Sequence, residues 1–355
     1  MDQRPARARE LGVAVGSFGA GPRNAITDVS GVGAGHATLI RGAGIRTGVT
    51  AIVPAQVMAA GGQCAAALAV GNGYGKFTGS TQIAELGVIE TPILLTATLS
   101  AFRVADALVG YMLALPGNET LRSVNPVVGE TNDGFLSDIR ARPLTYEHVA
   151  AAIDGAACGA VAEGTVGAGT GTSALGFKAG IGTSSRIVPG GSAAITVAAL
   201  VQANFSGTLT VMGVPVPKDV ALASIDPVAA AQPDERAGNS CVIIIATDAP
   251  LGSRQLKRVA RRALTGLART GSDFAGGSGD YALAFSTAPI GAPAIPDADI
   301  DPLFRAAIDC AEEAILNSLT TARTTTGYQG HTRYAVPHEW IRKACITALS
   351  AQRGE

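Results

Sequence analysis

The strongest constraint on the fold is an apolar run, Cys241-Val242-Ile243-Ile244-Ile245, that directly follows a polar stretch. Consecutive apolar residues rich in β-branched side chains are typical of a strand that is buried on both faces. The preceding residues 233–239 contain Pro, Asp, Gly and Asn, which favour turns and exposed loops. Ser240 lies at the junction, so the sequence predicts a serine hydroxyl at the first residue of a buried strand.

Composition narrows the kind of core that this strand can join. The chain has 355 residues, of which 47% are hydrophobic, 15% charged and only 5% aromatic, and 45 are glycines. The core must therefore be built from Ala, Val, Ile and Leu, with close backbone contacts at the glycines. The length allows one large domain or two smaller ones. Because charged residues are scarce, we expect part of the surface to be covered by other copies of the chain.

Several functional classes are disfavoured by charge and by motif spacing. A net charge of −1 and a pI of about 6.4 lack the basic footprint of a nucleic-acid-binding protein. No apolar stretch reaches the ~18 residues of a membrane span, and the N-terminus lacks the apolar segment of a secretory signal. The five cysteines contain no CxxC pair and the four histidines no HxxxH or HExxH pair. We therefore expect a cytoplasmic protein with reduced thiols, no metal and no cofactor.

Periodicity and turn residues predict the main elements. Helices are predicted over 81–86, 102–115, 148–157, 253–270, 301–323 and 338–353. Strands are predicted over 25–29, 47–57, 91–98, 127–129, 241–247 and 281–287. The runs 192–204 and 207–217 are interpreted as a hairpin with Asn204 at its tip, and 217–237 as an exposed linker. In the long helix 301–323, Asp309, Glu312 and Glu313 lie off the apolar stripe.

Two polar or glycine-rich segments leave alternatives open. Residues 130–134, Glu-Thr-Asn-Asp-Gly, fit an ordinary turn, or a pocket if Glu130 or Asp133 faces one. Residues 163–186 are dense in glycine but contain neither GxxxxGK[ST] nor the GxGxxG spacing of a nucleotide-binding loop. A backbone that passes close to another strand or to a substrate explains that segment better.

The chemistry expected at Ser240 follows from its position. Its hydroxyl could attack the carbonyl of Asn239, move the acyl group from nitrogen to oxygen and lose it to water. Ser240 would then be a chain terminus whose α-amine, with a reference pKa of ~7.7–8.0, acts as general base for the adjacent hydroxyl. An ordinary Asn-Ser turn before a core strand also explains this dipeptide.

Eight segments, spread over nearly the whole chain, resemble one known family in the same order. These are ITDVSGVGAGHATL, GNGYGKFTG, AELGVIETPILLT, VVGETNDGFLSDI, EGTVGAGTGTSALGFKAGIGTSSR, VQANFSG, GNSCVIIIATDAPL and GGSGDYALAFSTA. The family contains the L-aminopeptidase/D-alanyl-esterase-amidases and the β-aminopeptidases. Several long motifs in one order are far more specific than the Asn-Ser dipeptide alone.

The resemblance implies a fold and a maturation step. The fold is an α/β/β/α sandwich, similar in layers to the N-terminal-nucleophile hydrolases but with different strand connectivity. Residues 1–355 would form a single domain whose precursor cuts itself between Asn239 and Ser240, giving chains 1–239 and 240–355. Relatives assemble as tetramers of processed units. The substrates would be short peptides, amides or esters with a free N-terminal amine.

The resemblance also implies roles for individual residues. Ser240 matches the nucleophile, and Asn204 matches a residue that helps to hold the developing oxyanion. Ser278 and Asp280 match a serine and an acid that polarise the nucleophile and its amine, although β-aminopeptidases carry Glu at the second position. Glu130 matches an acid that receives the ammonium group of the substrate.

One expected contribution departs from the family pattern. Some relatives place a tyrosine hydroxyl beside the oxyanion, close to the GETNDG motif, where this chain has Phe135 in the substrate-binding neighbourhood. Tyr146 is a second candidate for that hydroxyl. The sequence leaves open whether the α-amine or a Ser278–Asp280 relay accepts the serine proton, and whether the substrate is an α- or β-amino acid, L or D.

Two other functions remain compatible with such a fold. An acyltransferase or amidase resembling the ornithine acetyltransferases would use a threonine nucleophile, which Ser240 disfavours. A binding protein that keeps the fold without catalysis is disfavoured by the joint presence of Ser240, Asn204 and Ser278.

Overall fold

The computed structural model describes residues 3–190, 193–225 and 240–353. Its strands are β1 (Val32–Arg41), β2 (Ile45–Pro54), β3 (Cys64–Gly73), β4 (Val88–Ile89), β5 (Ile93–Ala97), β6 (Val127–Thr131), β7 (Ser173–Ala174), β8 (Phe177–Lys178), β9 (Ile181–Val188), β10 (Ile195–Asn204), β11 (Thr210–Val211), β12 (Val214–Pro215), β13 (Ser240–Thr247), β14 (Gly279–Ser286), β15 (Thr325–Thr326) and β16 (Thr332–Arg333). Its helices are α1 (Ser80–Leu86), α2 (Ala101–Ala114), α3 (Tyr146–Asp154), α4 (Lys218–Ala223), α5 (Ser253–Arg269), α6 (Asp301–Thr320) and α7 (His338–Arg353).

Two large sheets organise the described residues. The six-stranded sheet has the order β4-β3-β14-β13-β10-β9, and the four-stranded sheet has the order β1-β2-β5-β6. In the six-stranded sheet β13 and β14 are parallel, whereas β13 is antiparallel to β10 and β14 is antiparallel to β3. The apolar run after Ser240 thus forms a central strand, all of whose residues are buried.

The sheets lie face to face and helices cover their outer faces. Helices α5 and α6 pack on the six-stranded sheet, and α2 and α3 pack on the four-stranded sheet. Alternate residues of β13 enter different cores, with Val242 and Ile244 between the sheets and Ile243 and Ile245 against the helices. This is the expected α/β/β/α sandwich, and a strand covered on both faces has to be apolar throughout.

Three of the local predictions were wrong. Residues 25–29 contain a 3₁₀ turn at Ile26–Asp28 rather than a strand, and the strand begins at Val32. Residues 192–217 do not form one hairpin, because β10 pairs with β9 and β13, while β11 and β12 form a separate ribbon. The predicted exposed linker 217–237 begins with α4, which buries Ala221 and Leu222. Residues 226–237 of the predicted linker lie outside the described ranges.

The three acids of α6 that lie off its apolar stripe are nevertheless buried: Asp309, Glu312 and Glu313. Helix α6 lies against β9, β10 and α5, so that most of its circumference is covered. The carboxylates are tolerated because arginines from distant parts of the chain pair with them.

The glycine-rich segment 163–186 brings backbones together. A Cβ on Gly182 would lie 1.9 Å from the carbonyl oxygen of Ala314 on α6, and a Cβ on Gly180 would lie 1.8 Å from the carbonyl oxygen of Gly164. Close approach to neighbouring backbone, rather than phosphate binding, explains these glycines. Among the described helices, none has the length and apolar character needed to cross a bilayer.

Candidate active site

Four neighbouring strands of the six-stranded sheet meet at one edge. In the strand registers Ser240 is opposite Asn204 on one side and Gly279 on the other, and Gly279 is opposite Gly73. The parallel strands β13 and β14 begin at this edge, whereas the antiparallel strands β10 and β3 end there. Register therefore brings together segments that are far apart in sequence.

Ser240 and Asn204 lie side by side and are almost completely buried. Ser240 Oγ accepts a hydrogen bond of 3.2 Å from the Gly279 amide. Asn204 Oδ1 accepts one of 3.0 Å from the Ser173 amide, which orients the side-chain amide. Asn204 is the last residue of β10 rather than the tip of a hairpin. Residues opposite each other in a sheet share a face, so both side chains start from the face toward the second sheet.

Ser278 and Asp280 form a buried dyad at the start of β14. Ser278 Oγ donates a 2.7 Å hydrogen bond to Asp280 Oδ1. Burial raises the pKa of Asp280, and the hydrogen bond from Ser278 and the nearby Cys241 amide oppose that rise. No described donor reaches Asp280 Oδ2 with hydrogen-bonding geometry. An incompletely satisfied buried carboxylate is typical of a group that exchanges protons.

The dyad and the Ser240 side chain start from opposite faces of the sheet. Asp280 is opposite Cys241, which belongs to the core on the helix side, whereas Ser240 alternates with Cys241. The backbone nitrogen of Ser240 lies in the sheet between these two faces. The Ser278–Asp280 dyad is thus better placed to influence that nitrogen than to contact the hydroxyl directly.

Glu130 comes from the other sheet, at the penultimate position of β6. It is 2% exposed, and its Oε1 accepts a 2.8 Å hydrogen bond from the Lys76 amide and lies 3.3 Å from Lys76 Nζ. The segment 74–78 joins the sheets, because the Tyr74 amide donates to the Ser278 carbonyl and the Thr78 amide donates to the Val128 carbonyl. Glu130 is thereby held at the edge that carries Ser240.

Two glycines fill the space between Glu130 and Ser240. A Cβ on Gly279 would lie 2.9 Å from Gly75 Cα and 3.2 Å from Ser240 Oγ. A Cβ on Gly75 would lie 3.0 Å from Glu130 Oε1 and 3.1 Å from the Tyr281 ring. A side chain at Gly279 would force the Gly75 backbone to move, and one at Gly75 would press on Glu130; we call these two positions the glycine cradle.

A second acid of the same motif, Asp133, is completely buried. Burial raises the pKa of Asp133 to about 7, and burial lowers the pKa of Lys178 to about 7, with each charge partly offsetting the effect on the other. Lys178 Nζ donates to the carbonyls of Gly169 and Ala179. Thr47 and the backbone amide of Asp133 lie near its carboxylate and oppose the rise of its pKa, but no described donor reaches either carboxylate oxygen with full hydrogen-bonding geometry.

The aromatic candidates occupy different places. Phe135 stacks on His331 with a ring-centroid distance of 4.5 Å, and the guanidinium carbon of Arg333 lies 3.7 Å from its centroid. Its contact with substrate stays a prediction. Tyr146 is 43% exposed at the start of α3 and lies near Gly110 of α2. The four-stranded sheet separates this outer helix layer from β13. The prediction that Tyr146 supplies the oxyanion hydroxyl was therefore wrong.

Sequence reasoning missed the residues that organise the site: Lys76, Gly75, Ser173, Gly279 and Lys178. The motif GNGYGK carries a local signal, since closely spaced glycines suggest a segment whose backbone approaches another part of the molecule. The described ranges contain no group of three or more His, Cys, Asp or Glu side chains arranged to hold a metal ion.

Two facing sheets covered by helices, with Ser240 at the start of a central strand, place the chain in the α/β/β/α sandwich class. The sequence profile of peptidase family S58 matches residues 24–333, and the chain belongs to this family. It is a serine aminopeptidase with a variant of the N-terminal-nucleophile hydrolase fold.

Named relatives cover almost the full length. The chain is 42% identical over 365 aligned positions to beta-peptidyl aminopeptidase BapA of Sphingosinicella xenopeptidilytica, covering 95% of this chain and 90% of the relative. The crystal structure of the PH0078 protein from Pyrococcus horikoshii OT3 superposes with a TM-score of 0.86 at 45% identity, covering 96% of this chain and 99% of that one. The L-aminopeptidase D-Ala-esterase/amidase of Ochrobactrum anthropi superposes with a TM-score of 0.84 at 35% identity, covering 98% and 99%.

Proposed function

We propose that this aminopeptidase matures by cutting its own chain between Asn239 and Ser240 and then uses Ser240 as its nucleophile. The observation that carries the proposal is the row Asn204–Ser240–Gly279 at one sheet edge. Asn239 lies outside the described residues. The products would be chains 1–239 and 240–355, both belonging to one folded domain.

The proposed maturation is an acyl shift followed by hydrolysis. Ser240 Oγ attacks the carbonyl carbon of residue 239 and gives up its proton, the C–N bond breaks, and the nitrogen of Ser240 gains a proton. Water then hydrolyses the ester, which leaves a carboxylate on residue 239 and restores the hydroxyl. The new α-amine, with a reference pKa of ~7.7–8.0, becomes available as a base near neutral pH.

In the mature enzyme the same groups act on substrate. Ser240 attacks the scissile carbonyl, Asn204 stabilises the oxyanion, and the α-amine of Ser240 accepts the proton of the hydroxyl. The Ser278–Asp280 dyad holds that amine from the helix side of the sheet. Loss of one oxyanion donor in such sites costs about 10²–10³ in rate, so a fixed Asn204 is a substantial requirement.

Substrate selection is proposed to depend on a free amine. Glu130 would receive the ammonium group, and Phe135 would border the neighbouring space. The relative from Sphingosinicella xenopeptidilytica is a beta-peptidyl aminopeptidase, so we propose that N-terminal β-aminoacyl residues of short peptides, amides or esters are removed. We also propose a cytoplasmic homotetramer of processed units, supported by the low charge content of 15%.

A denaturing gel combined with N-terminal sequencing tests maturation. We expect two fragments from the wild type, the smaller beginning at Ser240, and one intact, inactive chain from Ser240→Ala. Ser253→Ala, at an exposed serine at the start of α5, is the matched control and should be processed like the wild type. An intact wild-type chain that fails to hydrolyse β-alanyl anilide would overturn the proposal.

A further inference from the structure

The two carboxylate oxygens of Glu130 have different hydrogen-bonding environments. Oε1 is held by both the amide and the ammonium of Lys76, at 2.8 and 3.3 Å. Oε2 receives no hydrogen bond from any residue in the described part of the chain. The side chain of Glu130 is 2% exposed and that of Lys76 is 34% exposed. A buried anion with one unengaged oxygen therefore lies beside a cation that reaches solvent.

This pair adjoins the position of the reacting serine. Gly75 precedes Lys76, and its backbone packs on Gly279, which in turn contacts Ser240 Oγ through the glycine cradle. A small acyl group at Ser240 thus has a negative and a positive group within reach on the same side. Lys178, a cation beside Asp133, is completely buried and donates to two carbonyls, so it is not accessible to a ligand.

We propose that Glu130 and Lys76 together recognise an N-terminal residue that carries an ammonium and a carboxylate on one carbon, namely a β-aspartyl (isoaspartyl) residue. This inference rests on the proposed function, with Glu130 as the ammonium site. The ammonium binds Glu130 Oε2 and the α-carboxylate binds Lys76 Nζ. In a β-aspartyl residue that carbon is two bonds from the scissile carbonyl carbon, which is the spacing of a β-amino acid. A β-alanyl residue has only hydrogen in place of the carboxylate.

The cost of engaging Lys76 is small. The Lys76 side chain is 34% exposed, so its ammonium keeps access to solvent, and the lysine stem is flexible. Lys76 can therefore turn part of its hydrogen-bonding capacity to a ligand carboxylate while its backbone amide continues to hold Glu130 Oε1. A charge-assisted hydrogen bond to the ligand more than offsets the loosened contact.

The test compares β-aspartyl p-nitroanilide, which has a free α-carboxylate, with its α-methyl ester on the wild-type enzyme. We expect kcat/KM to be at least about tenfold higher for the free acid, carried mainly by KM. In Lys76→Met this preference should fall at least about tenfold, and Lys76→Arg should restore much of it. β-Alanyl p-nitroanilide is assayed in parallel to establish that the aminopeptidase reaction itself occurs.

Each outcome bears on a different claim. If the wild type shows no preference for the free acid while it hydrolyses β-alanyl anilide, the β-aspartyl inference is overturned and the proposed function survives. A preference that persists unchanged in Lys76→Met also overturns it. No turnover of any anilide by the wild type contradicts the proposed function instead. The comparison of acid and ester needs no variant, so it stands even if Lys76→Met does not fold.

Discussion

Two buried groups of charged residues in this molecule are built in opposite ways. On α6, Glu313 is 1% exposed and is bound on both oxygens, by Arg9 and Asn24 at Oε1 and by Arg186 at Oε2. At the Ser240 edge, Asp280 and Asp133 are buried just as deeply, yet three of their four carboxylate oxygens receive no hydrogen bond of full geometry from the described residues. We call these the paired cluster and the site cluster.

The paired cluster ties the N-terminal segment to the sandwich. Arg186 is completely buried on β9 and also donates to the carbonyls of Val15 and Ser185. Burial by itself would raise the pKa of Glu313, but the hydrogen bond from Arg9 and the charge of Arg186 outweigh it and lower that pKa. Its carboxylate is thus ionised throughout the neutral range, and the cluster stabilises the fold without taking part in proton exchange.

In the site cluster the effects of burial are only partly compensated. The pKa values of Asp280 and Asp133 are raised and that of Lys178 is lowered, in each case with burial as the leading cause. A buried charge without full pairing costs free energy. The difference between the clusters indicates where the molecule has given up stability to keep buried groups with shifted pKa values.

Removing the anion from the paired cluster should have the largest effect on stability. Glu313→Gln leaves Arg186 charged and buried without its partner, and we expect a loss of about 3–5 kcal/mol in the free energy of unfolding, measured by denaturant titration. Asp297→Asn is the control, because it breaks the exposed pairs with Arg254 and Arg258, where no measurable change is expected. Equal stabilities of the Glu313 variant and the wild type would remove the distinction between the clusters.

The same kind of change in the site cluster should act on turnover rather than on stability. Asp280→Asn removes a desolvated carboxylate, so the free energy of unfolding should not fall, whereas kcat for an aminoacyl anilide should fall about 100-fold or more. Asp273→Asn is the matched control, since Asp273 binds the Ser206 hydroxyl at the exposed end of the same loop. A destabilised Asp280→Asn protein with normal kcat would assign Asp280 a structural role.

The pH dependence of stability offers a smaller and finer test. The pKa of Asp133 rises from 3.8 to about 7 on folding, so the stability that this group contributes is present below pH 3.8 and is lost as the pH rises toward 7. The pKa of Lys178 falls from 10.5 to about 7, so its contribution increases with pH from 7 to 10.5.

Asp133→Asn should therefore reduce the loss of unfolding free energy between pH 4 and pH 7, measured by denaturant titration at both values. Asp106→Asn, at an exposed position of α2, is the control and should keep the wild-type dependence. Identical pH dependence in the Asp133 variant would mean that Asp133 is not the group responsible.

The sequence supports much of the fold because the local signals are strong. The apolar run after Ser240 predicts a central buried strand, and the periodic segments predict α2, α5, α6 and α7. Asn204 was misread because a polar residue between two apolar runs looks like a turn; its pairing with Ser240 depends on contact between strands more than 30 residues apart. The burial of Glu313 depends on Arg9 and Arg186, which lie even further away along the chain.

The family motifs predict which residues lie close together at this edge, whereas contacts that depend on backbone geometry carry no such signal. Ser240, Asn204, Ser278 and Asp280 are brought to one end of the sheet as expected for residues of one site. The attachment of Lys76 to Glu130 arises because residues 74–78 cross from one sheet to the other. The spacing of residues along the sequence does not predict that residues 74–78 cross between the sheets.

The strand order has a consequence for the lifetime of a processed molecule. In the sequence β4-β3-β14-β13-β10-β9, the two middle strands come after residue 239 and the strands on both sides come before it. Once nicked, neither polypeptide could leave without breaking the ladder on two sides and opening both cores. The two chains would stay associated although the bond between them is cut. After denaturation, both chains would have to be present for the six-stranded sheet to form again.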